Sequence, residues 1–344
     1  MLPPPAAAHA TAARLCLING LEHGITVPLE TRQRLWPQGA GALDPWLSLL
    51  AALRLDVHAV LGHVLAIDWL DDQWSEPRPP AEDLRRLHGL EPHALTLWRP
   101  LADHLHEQLG AGRLVMLEAD AWWLPDTDGQ DYRRQHRRST LIVNDFDATH
   151  RRLGYFHHDG YFHLQDEDFD GLMQGGLPSD GSLAPSATVI ELRGLVRRPP
   201  ETLRHLARQL LERHLERIPT RHPLRRWQRR SQAELDALVR QRDVEGCRRW
   251  LDCGITRLGA SAELAAIHLR WLSGEDSGSA HLLQAADALR QLAVLARAAQ
   301  LKAQRAVQQG QPVDLDALSE RMARHWSRAM ALLGAGAIVI EDLA

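Results

Sequence analysis

The feature that most constrains this chain is a change of hydrophobic period at Pro199-Pro200. Upstream, short apolar runs of strand length lie between turn-forming residues. Downstream, apolar residues return every three or four positions through most of the remaining sequence. A side-chain period of two suits a sheet and one near 3.6 suits a helix, so the two stretches call for different architectures. At 344 residues the chain is long enough for each to bury its own core. The expected fold class is α+β. A loose N-terminus covers 1–13, a mixed α/β domain 14–196, and an all-α, Arg-rich helical bundle 197–344.

Within the first domain, 43–55 (LDPWLSLLAALRL) has helical spacing, with Asp44 placed as N-cap and Pro45 at the first helical position. Further helices are expected over 57–66, 81–88, 101–109 and 166–173. Strands are expected over 113–119, 139–143, 152–157, 160–164 and 187–192, with turn formers filling 120–135 and a flexible loop at 177–186. His158-Asp159-Gly160 lies between two apolar runs, a hairpin signal. In the second domain Leu203, Leu206, Leu210, Leu211 and Leu215 form one apolar stripe. Similar stripes run through 232–253, 262–272, 280–308 and 315–333, as in a bundle. One late strand candidate lies at 337–340.

Composition removes several functions. The net charge of −4 gives no global field toward nucleic acid, and Lys302 is the only lysine among 40 basic residues. Three cysteines (Cys16, Cys247, Cys253) make no disulfide framework and fit a reducing compartment. The opening MLPPPAAAHATAA has no basic region and carries three prolines, unlike a signal peptide. No stretch reaches the roughly 18 apolar residues of a membrane span. The expectation is a cytoplasmic protein with neither membrane nor nucleic-acid partners.

The block 114–171 carries three ordered motifs: LPDTDGQDYRRQHRRST at 124–140, RRLGYFHHDGY at 151–161 and EDFDG at 167–171. It resembles an uncharacterised bacterial family often encoded beside carrier proteins and the ligases that load amino acids onto them. That family is similar to papain-like acyltransferases such as the one of the butirosin pathway. The resemblance implies a papain-like (cysteine-protease-like) domain, a Cys at the start of the first long helix, a His on a facing strand, and a residue that orients the His. A helix N-terminus and an imidazolium stabilise a thiolate. It also implies a carrier-protein partner, with the carrier's phosphopantetheine arm as the only cofactor, and a ligase as a second partner.

On that resemblance the Cys position falls at Gly41, ahead of Asp44, so the nucleophile position is vacant. His136 takes the base position, and His158 and Asp159 the orienting one. Asp120, Asp126 and Tyr132 are further catalytic candidates from the same block, and Arg133 a binding candidate. Arg225, Arg226, Arg229 and Arg230, around Trp227, offer guanidinium forks to an acidic carrier or its phosphate. Three readings stay open. The leading one is a carrier-protein-associated acyl- or aminoacyl-transfer protein with a degenerate papain-like site, retained for transfer or for binding alone; another is a thiol-independent aminoacyl transferase or amide-forming enzyme using His136, Asp126 or Asp120 as general base; the third is a scaffold for carrier and ligase. A metal site at His157, His158, Asp159 and His163 is not expected, because His157 and His158, adjacent on a strand, point to opposite faces and no Cys or HExxH pattern supports them.

Overall fold

The computed structural model describes residues 14–21, 27–29, 34–37, 39, 41–174, 185–274 and 279–334. The N-terminus 1–13, most of the loop 177–186 and the strand candidate 337–340 lie outside the described residues. The chain is mixed α+β, with a seven-stranded antiparallel sheet followed by a helical C-terminal region. By contact it separates into two compact units. One comprises 1–26, 45–54 and 89–195; the other comprises 27–44, 55–88 and 196–344. A single division at 196 therefore leaves out that 27–44 and 55–88 join the helical unit. Periodicity reports local conformation, and says nothing of which core a segment enters.

The sheet unit contains β1 (Leu15–Cys16), β2 (Glu91–Leu95), β3 (Arg113–Asp120), β4 (Arg138–Asp147), β5 (Arg152–His157), β6 (Gly160–Gln165) and β7 (Ser186–Glu191). The order is β2-β7-β3-β4-β5-β6, with β1 on the far end of β4. β2 was not expected: Glu91-Pro92-His93 has no strand alternation. It forms by backbone pairing to β7 at a sheet edge, where a proline is tolerated. Helices α3 (Leu101–Gly110) and α4 (Asp166–Gln174) pack on one face, over Val115, Leu117, Leu141, Val143, Leu153 and Tyr155. β4 outlasts its expected 139–143 because a bulge at Asn144 absorbs the break in pattern. Asn144, fully buried, accepts from Ile18 N at 2.8 Å and donates to Ile18 O at 2.9 Å. Next to it, buried Asp145 takes a two-pronged contact from Arg14 at 2.9 and 2.7 Å.

The helical unit holds α2 (Ala81–His88), α5 (Pro200–Leu215), α6 (Pro223–Gln241), α7 (Val244–Leu251), α8 (Arg257–Ser273), α9 (Ala280–Gln309) and α10 (Asp316–Leu332). A helix was expected over Val57–Ala66, and the segment is a 3₁₀-helix, started by Asp56 accepting from His58 N. Buried Glu263 of α8 organises the core. Its carboxylate accepts from Leu35 N at 2.7 Å and Trp36 N at 3.0 Å, and pairs with Arg34 at 3.5 Å and Arg290 at 3.1 Å. Trp36 lies flat against Gly259, where a Cβ would fall 2.3 Å from the indole ring.

Three imidazoles of this unit, His63, His88 and His268, are buried, and each is held at about 4, first by burial. His63 and His268 each use Nδ1 against a carbonyl, at 2.7 Å to Val60 O and 2.8 Å to His58 O, while the buried Nε2 of His268 has no hydrogen-bond partner among the described residues. In the unfolded chain these rings return to about 6.5. The unfolded state then binds the protons first, so their stability is complete above about pH 6.5 and is lost between about 6.5 and about 4. The melting temperature should fall from pH 7 to pH 5, and His268→Gln should reduce that slope. A level profile would show that these rings are not buried in solution.

Candidate active site

The register opposes Asp120, the last residue of β3, to Arg138, the first of β4. The connection 121–137 therefore leaves and re-enters the sheet at one point. It is built from two short 3₁₀ turns, Ala121–Trp123 and Pro125–Thr127, and Thr127 Oγ1 closes it by donating to Leu124 O at 2.9 Å. α4 lies beside this loop because residue 171 is glycine: a Cβ there would be 2.3 Å from the Trp123 ring.

The first cluster is His136 with Asp120. Asp120 is buried, caps the first 3₁₀ turn by accepting from Trp122 N at 3.1 Å, and meets His136 Nδ1 at 2.7 Å. The His136 ring stacks on Trp122 with centroids 4.6 Å apart and planes 13° from parallel. Its side chain is 28% exposed. A buried carboxylate on Nδ1 fixes the tautomer and leaves Nε2 as the working nitrogen. The orienting partner is therefore Asp120. The resemblance had implied His158 and Asp159, but the structure pairs neither with His136. The reason is topological: the connection carries His136 back beside the end of its own preceding strand.

The second cluster was missed in the sequence. Ser139, Leu141 and Val143 alternate onto the face that carries α3 and α4, as do Tyr155 and His157 opposite them. Ser139 Oγ is 2.6 Å from His157 Nε2, and His157 Nδ1 is 2.5 Å from Asp126 Oδ2. Tyr155 Oη donates to Asp126 Oδ1 at 2.5 Å. Burial alone would raise the Asp126 pKa, but the His157 hydrogen bond and charge outweigh it and hold the carboxyl below its ordinary value. Burial pushes Tyr155 well above 10, so it stays a donor.

The expectation that His157 and His158 point apart is corrected. His158 leaves the strand at a φ of +48°, so the alternation stops there, and the two rings lie 3.9 Å apart. With Asp126 they offer three ligand atoms within 4.8 Å of one another. Burial, then the His157 charge, pushes His158 down to about 4.

The remaining candidates sit elsewhere. α1 (Leu43–Ala52) begins one residue before Asp44, whose carboxylate reaches back to accept from Gly39 N at 3.2 Å, so Asp44 lies in the first turn and is not the cap. Gly41 precedes this helix in left-handed backbone, φ +61°. Tyr132 and Arg133 both hold Asp168 of α4, at 3.0 and 2.6 Å, along a cavity of about 570 Å³. Arg225 pairs with Glu320, Arg226 with Asp68, and Arg230 with Glu234. A carrier would have to compete with these internal ion pairs, and Arg229 also has a partner within the protein.

The model of the DUF1839 N-terminal domain matches residues 26–192, and that of the DUF1839 C-terminal domain matches residues 200–335. The chain belongs to the DUF1839 family. No curated protein matches it. The gap between the two DUF1839 matches contains Pro199, where the hydrophobic period changes. In this DUF1839 chain no helix among the described residues is long and apolar enough to cross a membrane.

A side chain at Gly41 has to adopt a backbone that costs an L-residue about 1–2 kcal/mol. Its Cβ would lie 3.2 Å from Glu76 Oε1 and 3.4 Å from Arg257 Nη2. Gly41→Cys should therefore lower the urea midpoint by an amount equivalent to about 1–2 kcal/mol. An unchanged midpoint would contradict the left-handed assignment at 41.

Proposed function

We propose that this protein transfers an acyl or aminoacyl group from a carrier-protein thioester to an amine, with His136 as general base and no protein thiol. One observation carries this reading: a partly exposed imidazole held at Nδ1 by a buried carboxylate, with no hydrogen-bond partner on Nε2 among the described residues. A thioester is already activated, so a positioned base that removes the amine proton suffices to favour attack. The thioester substrate class and the papain-like ancestry come from the family resemblance. In that reading Gly41 marks the lost thiol, and the carrier's phosphopantetheine arm brings the substrate.

The His136–Asp120 pair favours an active enzyme over a vacant binding protein. A surface histidine kept only for solubility needs no buried carboxylate to fix its tautomer, and burying that carboxylate costs free energy unless it is paired. Tyr132 and Arg133 act here by holding α4 beside the base loop.

The test uses the full-length protein with aminoacyl-loaded carrier protein and candidate amines, followed by intact-mass analysis of the carrier. The expected result is amine-dependent loss of the aminoacyl group. His136→Ala should slow it by about 10²- to 10⁴-fold. Asp120→Asn should slow it less and shift its pH profile. Transfer undiminished in His136→Ala would overturn the assignment of the base.

A further inference from the structure

Ser139, His157 and Asp126 make a case of their own, independent of His136 and of any carrier. The Ser139 hydroxyl sits 2.6 Å from His157 Nε2; the opposite ring nitrogen sits 2.5 Å from Asp126. The second oxygen of that carboxylate is fixed by Tyr155. A hydroxyl nucleophile needs a base on its proton, a carboxylate behind the base, and something that keeps the carboxylate in place. All three are present. Exposure runs in the order that such chemistry requires: Ser139 is half-buried, while the His157 and Asp126 side chains are 1% and 2% exposed.

The charges agree with the geometry. Asp126 stays ionised because the His157 contact outweighs burial, so a carboxylate stands ready to balance an imidazolium. His158, its ring tilted by 40° against His157 at 3.9 Å and pushed down to about 4 by burial, is neutral near pH 7 and adds no positive charge against it. Both nitrogens of His157 are committed in the resting protein, and Nε2 becomes available to the leaving group only after the Ser139 hydroxyl has given up its proton.

We propose that Ser139, His157 and Asp126 form a nucleophilic triad that accepts an acyl group from an activated ester or thioester. As the Ser139 Oγ–C bond forms, the hydroxyl proton moves to His157 Nε2. The bond from the acyl carbon to the leaving oxygen or sulfur then breaks, and that atom takes the proton from His157. Water or an amine next attacks the Ser139 ester and gives its proton to His157. The Oγ–C bond breaks, and the proton returns to Ser139.

The test is labelling of the full-length protein with an alkyl fluorophosphonate near neutral pH, then peptide mapping. One adduct is expected on Ser139, with one fluoride released per adduct. Ser139→Ala should abolish it at an unchanged melting temperature, and Asp126→Asn should slow it by about 10²-fold or more. Because replacing buried His157 endangers the fold, Ser139→Cys supplies the second readout. Its thiol should alkylate faster than Cys16, Cys247 and Cys253, and ionise below the usual value of about 8.5. A folded Ser139→Cys protein with an ordinary thiol, together with no adduct on the parent, would overturn the triad. So would one equivalent of zinc in the purified protein that disappears in His158→Ala, since it would assign Asp126 and His157 to a metal. An adduct on Ser139 without carrier transfer, or the reverse, separates this proposal from the one on His136.

Discussion

The pairing of β3 with β4 is the constraint on which the sheet unit depends. Its register sets Asp120 against Arg138 and Ala119 against Ser139. That one choice returns the 121–137 connection to its starting point, so His136 meets Asp120, and turns Ser139 to the face where β5 presents His157. A slip of one residue would send every β4 side chain to the other face. Ser139 would lose its base, and Leu141 and Val143 would leave the core. The apolar cost of that slip therefore protects the polar geometry. Leu141 and Val143 are both fully buried, and burying a side chain of that kind stabilises by roughly 1.5–3 kcal/mol.

The two histidines of the candidate site, His136 and His157, each have their own carboxylate, and they differ in access. His136 is a quarter exposed and uses one nitrogen, so a substrate reaches it directly. His157 is sealed and uses both, so a substrate meets it only at the place where the Ser139 hydroxyl stands. The carboxylates differ correspondingly. Asp120 also caps a turn through Trp122 N, tying the base to the backbone of the loop. Asp126 is tied to the sheet through Tyr155. Neither carboxylate is left unsatisfied in a setting where an unpaired one would be costly.

Much of the fold was legible in the sequence because strands and helices announce themselves by period. Val115, Leu117, Leu141 and Val143 fall on strands where short apolar runs placed them, and the leucines of α5 lie on one stripe. The edge strand at Glu91–Leu95 was not legible, since backbone pairing forms it without any apolar alternation. At the site, His136 and Asp120 were each readable as candidates, but their pairing was not, because it depends on where a loop returns. Ser139 and His157 could have been found by writing β4 and β5 as alternating strands and asking which polar residues face the core. His158 defeated that same rule, because a left-handed residue at the turn ends the alternation just where it was being applied.

The carboxylate of Glu263 has a consequence for how this protein is inherited. Its backbone donors, Leu35 and Trp36, and its partner Arg34 come from far upstream, while Arg290 follows in the next helix. A chain cut at the border between the two family matches would keep Arg290 beside Glu263 but take away Leu35 N, Trp36 N and Arg34. Leaving a buried acceptor without a donor costs about 1–3 kcal/mol, a large part of the stability of an ordinary domain when several are lost together. The helical unit is thus not a portable module. Gene fusions and rearrangements at that border should be selected against, and the two matches should travel as one indivisible piece.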